Sequence, residues 1–176
     1  MSAGSQMAYV ALGANIGDAA GTLRRAAAEI AARSLSQVVG SSLWRTEPVD
    51  CQPGSPPFLN AALGLWPTYG TTPESLLDDL LEIETQLGRT RPGLANAPRV
   101  IDLDLIVFGD EIRNTASLTL PHPRAHDRAF VLAPLAEIAP DMVLPGQRRT
   151  VAALLETLGQ ADGVSKLEPL IYENER

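Results

Sequence analysis

The run Ile101-Asp102-Leu103-Asp104-Leu105 sets an apolar residue at each odd position and a carboxylate at each even one. Side chains along a strand point to opposite faces in turn. The pattern therefore predicts a strand, continued through Ile106-Val107-Phe108, with both aspartates on one face and Ile101, Leu103 and Leu105 on the other. This is the clearest strand in the chain. Strands disfavour Asp, so two of them in a strongly apolar segment need a chemical reason.

The rest of the chain arranges itself around that strand. Ala8–Leu12 is short, apolar and ends at Gly13, which predicts a first strand. Gly17-Asp18 then opens an Ala-rich helix over about Ala19–Arg33, with Leu23, Ala26, Ala27 and Ile30 at helical spacing. Gln37–Trp44 and Phe58–Trp66 read as two further strands. A second helix begins at Pro73 behind the N-cap Thr72 and stops at Gly88. Its stripe is Leu76, Leu77, Leu80, Ile83, Glu84 and Leu87, and for the Glu84 carboxylate an edge position reaching solvent and a place within the stripe both stay open. Ala129–Ile138 and Thr150–Leu158 suggest two more helices, and the segment from Gly163 onward has no clear pattern. The order βαββαβ, followed by a C-terminal helical appendix, predicts an α+β sandwich of the ferredoxin-like type. Two long Gly/Pro-rich loops, Glu47–Pro57 and Arg89–Pro98, are expected to close over ligands.

The 176 residues suit one domain, 1–176, with residues 1–7 expected as a disordered N-terminal extension. The formal charge of −7 argues against general nucleic-acid binding. No apolar run of membrane-spanning length and no signal peptide are evident, so the expected compartment is the cytoplasm. Cys51 is the one cysteine, which rules out an internal disulfide; a surface thiol is expected. His122 and His126 have the spacing of helical metal ligands, but Pro121 and Pro123 argue against a helix there.

Asp102 and Asp104 on one rigid face lie close enough to share hard cations, and without a cation they would repel each other. Mg²⁺ takes one or two carboxylates plus waters and phosphate oxygens. Arg89, Arg91 and Arg99 cluster just before the acidic strand, with Arg124 and Arg128 as a second basic group. Acidic metal ligands beside arginines make a triphosphate site. No G-x-x-x-x-G-K-[ST] loop is present, which excludes a P-loop mechanism.

Several separated motifs carry a resemblance. They include Tyr9–Asn15, Trp44-Arg45-Thr46-Glu47-Pro48, Phe58-Leu59-Asn60-Ala61-Ala62, Gly88-Arg89-Thr90-Arg91, Ala97–Leu105, Leu120–Arg124 and Asp127–Leu132. In this order they resemble the 6-hydroxymethyl-7,8-dihydropterin pyrophosphokinases of folate synthesis. The resemblance implies diphosphate transfer from ATP to the pterin hydroxymethyl group, with AMP released. It implies two Mg²⁺ on Asp102 and Asp104, charge stabilisation by Arg89 and Arg99, and ATP contacts from Arg91, Leu105, Thr119, His122 and Arg128. It places the pterin against Thr46, Pro48, Val49, Phe58, Asn60 and Phe130, with ATP and the pterin as the only partners of a monomer. A flat heterocycle does call for aromatic faces and an amide edge, which Phe58, Phe130 and Asn60 supply. Ala95, Asn96 and Ser117 depart from the family pattern at outer ATP positions. Two rival readings are another two-metal nucleotidyl or phosphoryl transferase on a ferredoxin-like core, and a non-enzymatic small-molecule-binding domain. The second leaves Asp102, Asp104, Arg89 and Arg99 unexplained together.

Overall fold

The computed structural model describes residues 6–48, 51–90, 98–159 and 163–172. Its strands are β1 (Ala8–Ala14), β2 (Val39–Gly40), β3 (Ser42–Thr46), β4 (Phe58–Leu65), β5 (Asp102–Phe108), β6 (Arg113–Asn114), β7 (Thr119–Leu120) and β8 (Val164–Pro169). The α-helices are α1 (Ala19–Ala31), α2 (Pro73–Gln86), α3 (Ala129–Ile138) and α4 (Val151–Thr157). The main sheet has the order β5-β1-β4-β3-β8, with β2 beside β4, and each pairing in it is antiparallel. β6 and β7 form a separate small ribbon.

Local chemistry accounts for the helix starts. The Asp18 carboxylate accepts from the Gly21 N–H at 3.0 Å and so caps α1. Thr72 and Ser75 exchange hydrogen bonds at 2.9 and 3.1 Å in a capping box ahead of α2. Gly88 takes a φ of 95° just after α2, a conformation that costs a side-chain-bearing residue free energy.

Strand alternation then sorts the residues into two layers. Val10, Leu12, Leu63, Leu103 and Leu105 pack against Leu23 and Ile30 of α1 and Leu76, Leu80 and Ile83 of α2. The other face carries Ala62, Ile106 and Val107 against Leu132 and Leu135 of α3 and Val151 of α4. Each fully buried leucine or isoleucine contributes about 1.5–3 kcal/mol, so both helical layers are held firmly to the sheet.

One irregularity matters for the site. Tyr9 of β1 faces Val107, but its neighbour Val10 faces Leu105, so Ile106 is an extra residue in β5. Such a bulge leaves the inserted residue outside the ladder. The Ile106 carbonyl accepts instead from the His122 N–H at 2.8 Å, which docks the histidine segment beside the acidic strand.

Several expectations need correcting. The strand expected over Gln37–Trp44 is two strands, β2 and β3, parted at Ser41, whose hydroxyl accepts from the Ala62 N–H. The unpatterned C-terminal segment contains β8, which pairs with β3. Of the residues 1–7 expected as an extension, 1–5 lie outside the described residues, and the Met7 carbonyl accepts from the Gly109 N–H at 2.9 Å. Among the described residues no helix is long and apolar enough to cross a membrane.

Candidate active site

The face of the sheet turned toward α3 is also the floor of a cleft of about 580 Å³. Register explains why. Trp44, Asn60, Gly13 and Asp102 form one cross-strand row over β3, β4, β1 and β5. Ala62, Ala11 and Asp104 form the next. Small residues thus occupy the middle strand between the amide and the carboxylates. A Cβ on Gly13 would come within 2.9 Å of Asn60 Oδ1, so the close approach there requires glycine.

The structure brings Thr46, Phe58, Asn60, Arg89, Arg99, Asp102, Asp104, His122, Arg128 and Phe130 to this one cleft. An adjoining pocket of about 250 Å³ holds Leu105 and Thr119, with Leu77 and Leu118 supplying apolar walls. Asp104 and His122 line both spaces, so the two adjoin at the acidic strand. Pro48 is half-buried and does not line the cleft; Val49, Arg91, Ala95 and Asn96 lie outside the described residues. Cys51, expected as a surface thiol, is half-buried and lines the cleft.

Asp102 sits between two arginines. Arg89 donates to Oδ1 at 2.9 Å and Arg99 to Oδ2 at 2.6 Å. Arg89 is itself held from behind by Glu84, at 2.6 Å. Of the two places open to Glu84, the structure takes the buried one: it is 2% exposed and also accepts from the Leu103 N–H at 2.7 Å. The physical reason is that Leu103 lies between the two aspartates, and α2 packs closely enough for a carboxylate to cap its N–H. Burial pushes the Glu84 carboxyl up, against the Leu103 N–H and the Arg89 charge, which bring it down. Burial pulls Arg89 down, but the charges of Glu84 and Asp102 outweigh it and leave its pKa raised.

Asp104 accepts no hydrogen bond and forms no ion pair among the described residues. Burial, then the charges of Asp102 and Glu84, push its carboxyl up to about 7. Such a carboxylate, beside a second one two residues away, fits a hard cation with oxygen ligands. No cluster of three or more His, Cys, Asp or Glu able to hold a metal occurs among the described residues. A carboxylate pair suits Mg²⁺, which keeps water and substrate oxygens, better than a closed four-ligand zinc site.

His122 has its pKa lowered by burial and by the Arg128 charge. Its Nδ1 accepts from the Arg124 N–H at 3.2 Å, which leaves Nε2 as the protonated donor. The Arg128 guanidinium lies 5.4 Å from the Phe130 ring centre, stacking cation on aromatic at the N-terminus of α3.

Asn15 was not expected as a site residue. Its Nδ2 donates to the Pro56 carbonyl at 3.2 Å, and its Oδ1 accepts from the Arg99 N–H at 2.8 Å. It thus ties the loop before Phe58 to the segment that carries Arg99. A buried amide following a strand-ending glycine was the available signal, since such a group must find partners.

A sheet face with paired carboxylates, opposed arginines and an aromatic–amide end has the chemistry to handle phosphate at one end and a flat heterocycle at the other. Residues 9–140 match the profile of the 7,8-dihydro-6-hydroxymethylpterin-pyrophosphokinase family, and the chain belongs to that family. It is 41% identical over 149 residues to the 2-amino-4-hydroxy-6-hydroxymethyldihydropteridine pyrophosphokinase of Synechocystis sp., covering 85% of this chain and 74% of that protein. The Methylorubrum extorquens enzyme of the same name is 41% identical over 162 residues, covering 92% and 98%. The fold is similar to the Plasmodium falciparum HPPK-DHPS structure with pteroate, at a TM-score of 0.66 and 14% identity. That match covers 86% of this chain but 43% of the solved one, so this chain spans under half of it.

Proposed function

We propose that the chain transfers the β,γ-diphosphate of ATP to the hydroxymethyl oxygen of 6-hydroxymethyl-7,8-dihydropterin and releases AMP. The observation that carries this reading is the row Asn60–Gly13–Asp102. It sets an amide suited to a pterin edge and a phosphate-site carboxylate on one face, two strands or roughly 10 Å apart. The acceptor and donor ends of the reaction would meet over Gly13.

Phe58 and Phe130 would stack on the pterin, with Asn60, Thr46, Pro48 and Val49 at its polar edge. Asn60 Nδ2 donates to Thr46 Oγ1 at 2.7 Å, which fixes the amide and leaves its Oδ1 to accept from the heterocycle. Arg91, Leu105, Thr119, His122 and Arg128 would hold ATP, His122 through its Nε2–H. Asp102 and Asp104 would hold the two Mg²⁺, which supply phosphate positioning and charge neutralisation. Arg89 and Arg99, freed from Asp102, would stabilise the charge of the transferring group. The oxygen–Pβ bond forms as the bond from Pβ to the α-phosphate oxygen breaks, and the hydroxyl proton is lost to solvent. No covalent enzyme intermediate is needed.

We also read the chain as one ferredoxin-like βαββαβ domain, 1–176, acting as a cytoplasmic monomer. The order β5-β1-β4-β3 supports the fold reading. The test is to mix protein, ATP, Mg²⁺ and 6-hydroxymethyl-7,8-dihydropterin and to measure AMP. AMP in step with pterin consumption is expected. Pyrophosphate in its place would point to a nucleotidyl transferase, and no product from folded protein would reject the reading.

A further inference from the structure

Strand β8 lies beyond residue 140, where the family match ends. Ser165–Pro169 are exposed, and Val164 alone in the strand is half-buried. A strand that covers so little of itself adds little to either core. What Val164 meets is the cleft. It stands opposite Thr46 of β3, and Thr46 stands opposite Phe58 of β4. Directly opposed residues share a face. Val164, Thr46 and Phe58 therefore form a further row beside the one that holds Asn60, and both Gly163 and Val164 line the cleft.

Gly163 fixes how this wall meets the loop that begins at Glu47. Its carbonyl accepts from the Glu47 N–H at 3.0 Å. Its φ is 81°, and a Cβ there would come within 2.9 Å of Glu47 Cγ. A side chain at this position would thus be strained by its backbone and would push Glu47 away.

We propose that Gly163 and Val164 form the outer wall of the pterin end of the cleft. Val164 is a specificity-determining residue against the edge of the heterocycle, and Gly163 is a positioning residue for Glu47. The inference rests on the pterin reading above. An apolar wall beside an aromatic platform favours an uncharged ring there and does nothing for the triphosphate, so its loss acts on one substrate only.

The test is a comparison of KM values. Val164→Asp is expected to raise KM for 6-hydroxymethyl-7,8-dihydropterin about tenfold or more, with KM for ATP and kcat within about twofold. Val164→Thr keeps the shape and should raise it about threefold. Gly163→Ala should raise the same KM. Leu167→Asp, on the opposite face of the same strand, should leave both KM values unchanged. A wild-type pterin KM in both Val164 variants, or an equal rise for ATP and pterin, would overturn the proposal. If Val164→Asp fails to fold, Val164→Thr decides. A wild-type protein that releases no AMP would defeat the reaction reading alone, because quenching of pterin fluorescence on binding still reads the wall.

Discussion

Glu84→Ala gives the most direct test of how β5 is held beside α2. One carboxylate oxygen accepts both from the Leu103 N–H at 2.7 Å and from Arg89 at 2.6 Å, at a residue 2% exposed. Truncation leaves a buried backbone donor without its acceptor, at about 1–3 kcal/mol. It also leaves Arg89 without its rear partner; breaking such a buried pair costs about 3–5 kcal/mol in all. Arg89 keeps Asp102 at 2.9 Å, which favours the lower end of that range. At about 2–4 °C per kcal/mol for a chain of this size, Tm should fall by roughly 6–20 °C. Glu84→Gln keeps an acceptor oxygen for both donors and loses only the charge, so its fall should be less than half as large. Melting followed by circular dichroism in metal-free buffer reads both variants. An Ala variant melting within roughly 2 °C of wild type would refute the reasoning, because that is below the value of one such hydrogen bond.

Asp102→Ala and Asp104→Ala should each abolish AMP release while pterin binding, read by fluorescence, is largely kept; normal turnover in either would reject the metal role. Arg89→Ala should lower kcat far more than it raises KM for ATP, and a defect confined to KM would assign Arg89 to ground-state binding. Asp104 is pushed up to about 7 in the folded chain, so Mg²⁺ held there would displace a proton below that pH. Calorimetry in buffers of different ionisation enthalpy should find proton release that is near one at pH 6 and vanishes by pH 8.5. With the folded pKa raised above the unfolded one, Asp104 stabilises the metal-free chain at low pH, and this contribution is lost as pH rises through about 7. A metal-free Asp104→Asn variant should therefore gain stability over wild type above that pH, as guanidinium chloride unfolding would measure.

The parts legible in the sequence are those with a short period. The alternation at Ile101–Leu105 and the spacing Leu76, Leu80, Ile83 each announce their own geometry, and both elements form where expected. Asp102 and Asp104 share a face for the same reason. Contacts set by register were not legible. Nothing local to Gly13 says that it faces Asn60 on one side and Asp102 on the other; that follows only from the pairing of three strands. The place of Glu84, edge or interior, stays open on a helical wheel, which cannot show that the next layer presents an N–H at Leu103 for the carboxylate to cap. β8 escaped notice because an exposed edge strand with Ser165, Lys166 and Glu168 lacks the apolar signal of a core strand. The pterin assignment is of another kind: Phe58 and Phe130 would serve equally in a core, and their stacking role is proposed from the resemblance, not from any pattern in the residues.

The charges in the cleft point to the form in which ATP enters. Glu84, Asp102 and Asp104 face Arg89, Arg99 and Arg128, and two of those arginines lie on Asp102 itself. Without ligand, Arg89 and Arg99 are already paired with Asp102, and Glu84 also holds Arg89, so these two guanidinium groups offer little net attraction to a bare triphosphate. On the proposed reading, Asp102 and Asp104 would hold the cation of a magnesium-bearing nucleotide, and Arg89 and Arg99, released from Asp102, would pair with phosphate oxygens. Under that proposal the site would favour the metal complex of ATP over the bare nucleotide. Affinity for ATP without magnesium should be weak in the wild type and should rise in Asp102→Asn, where the arginines are already free.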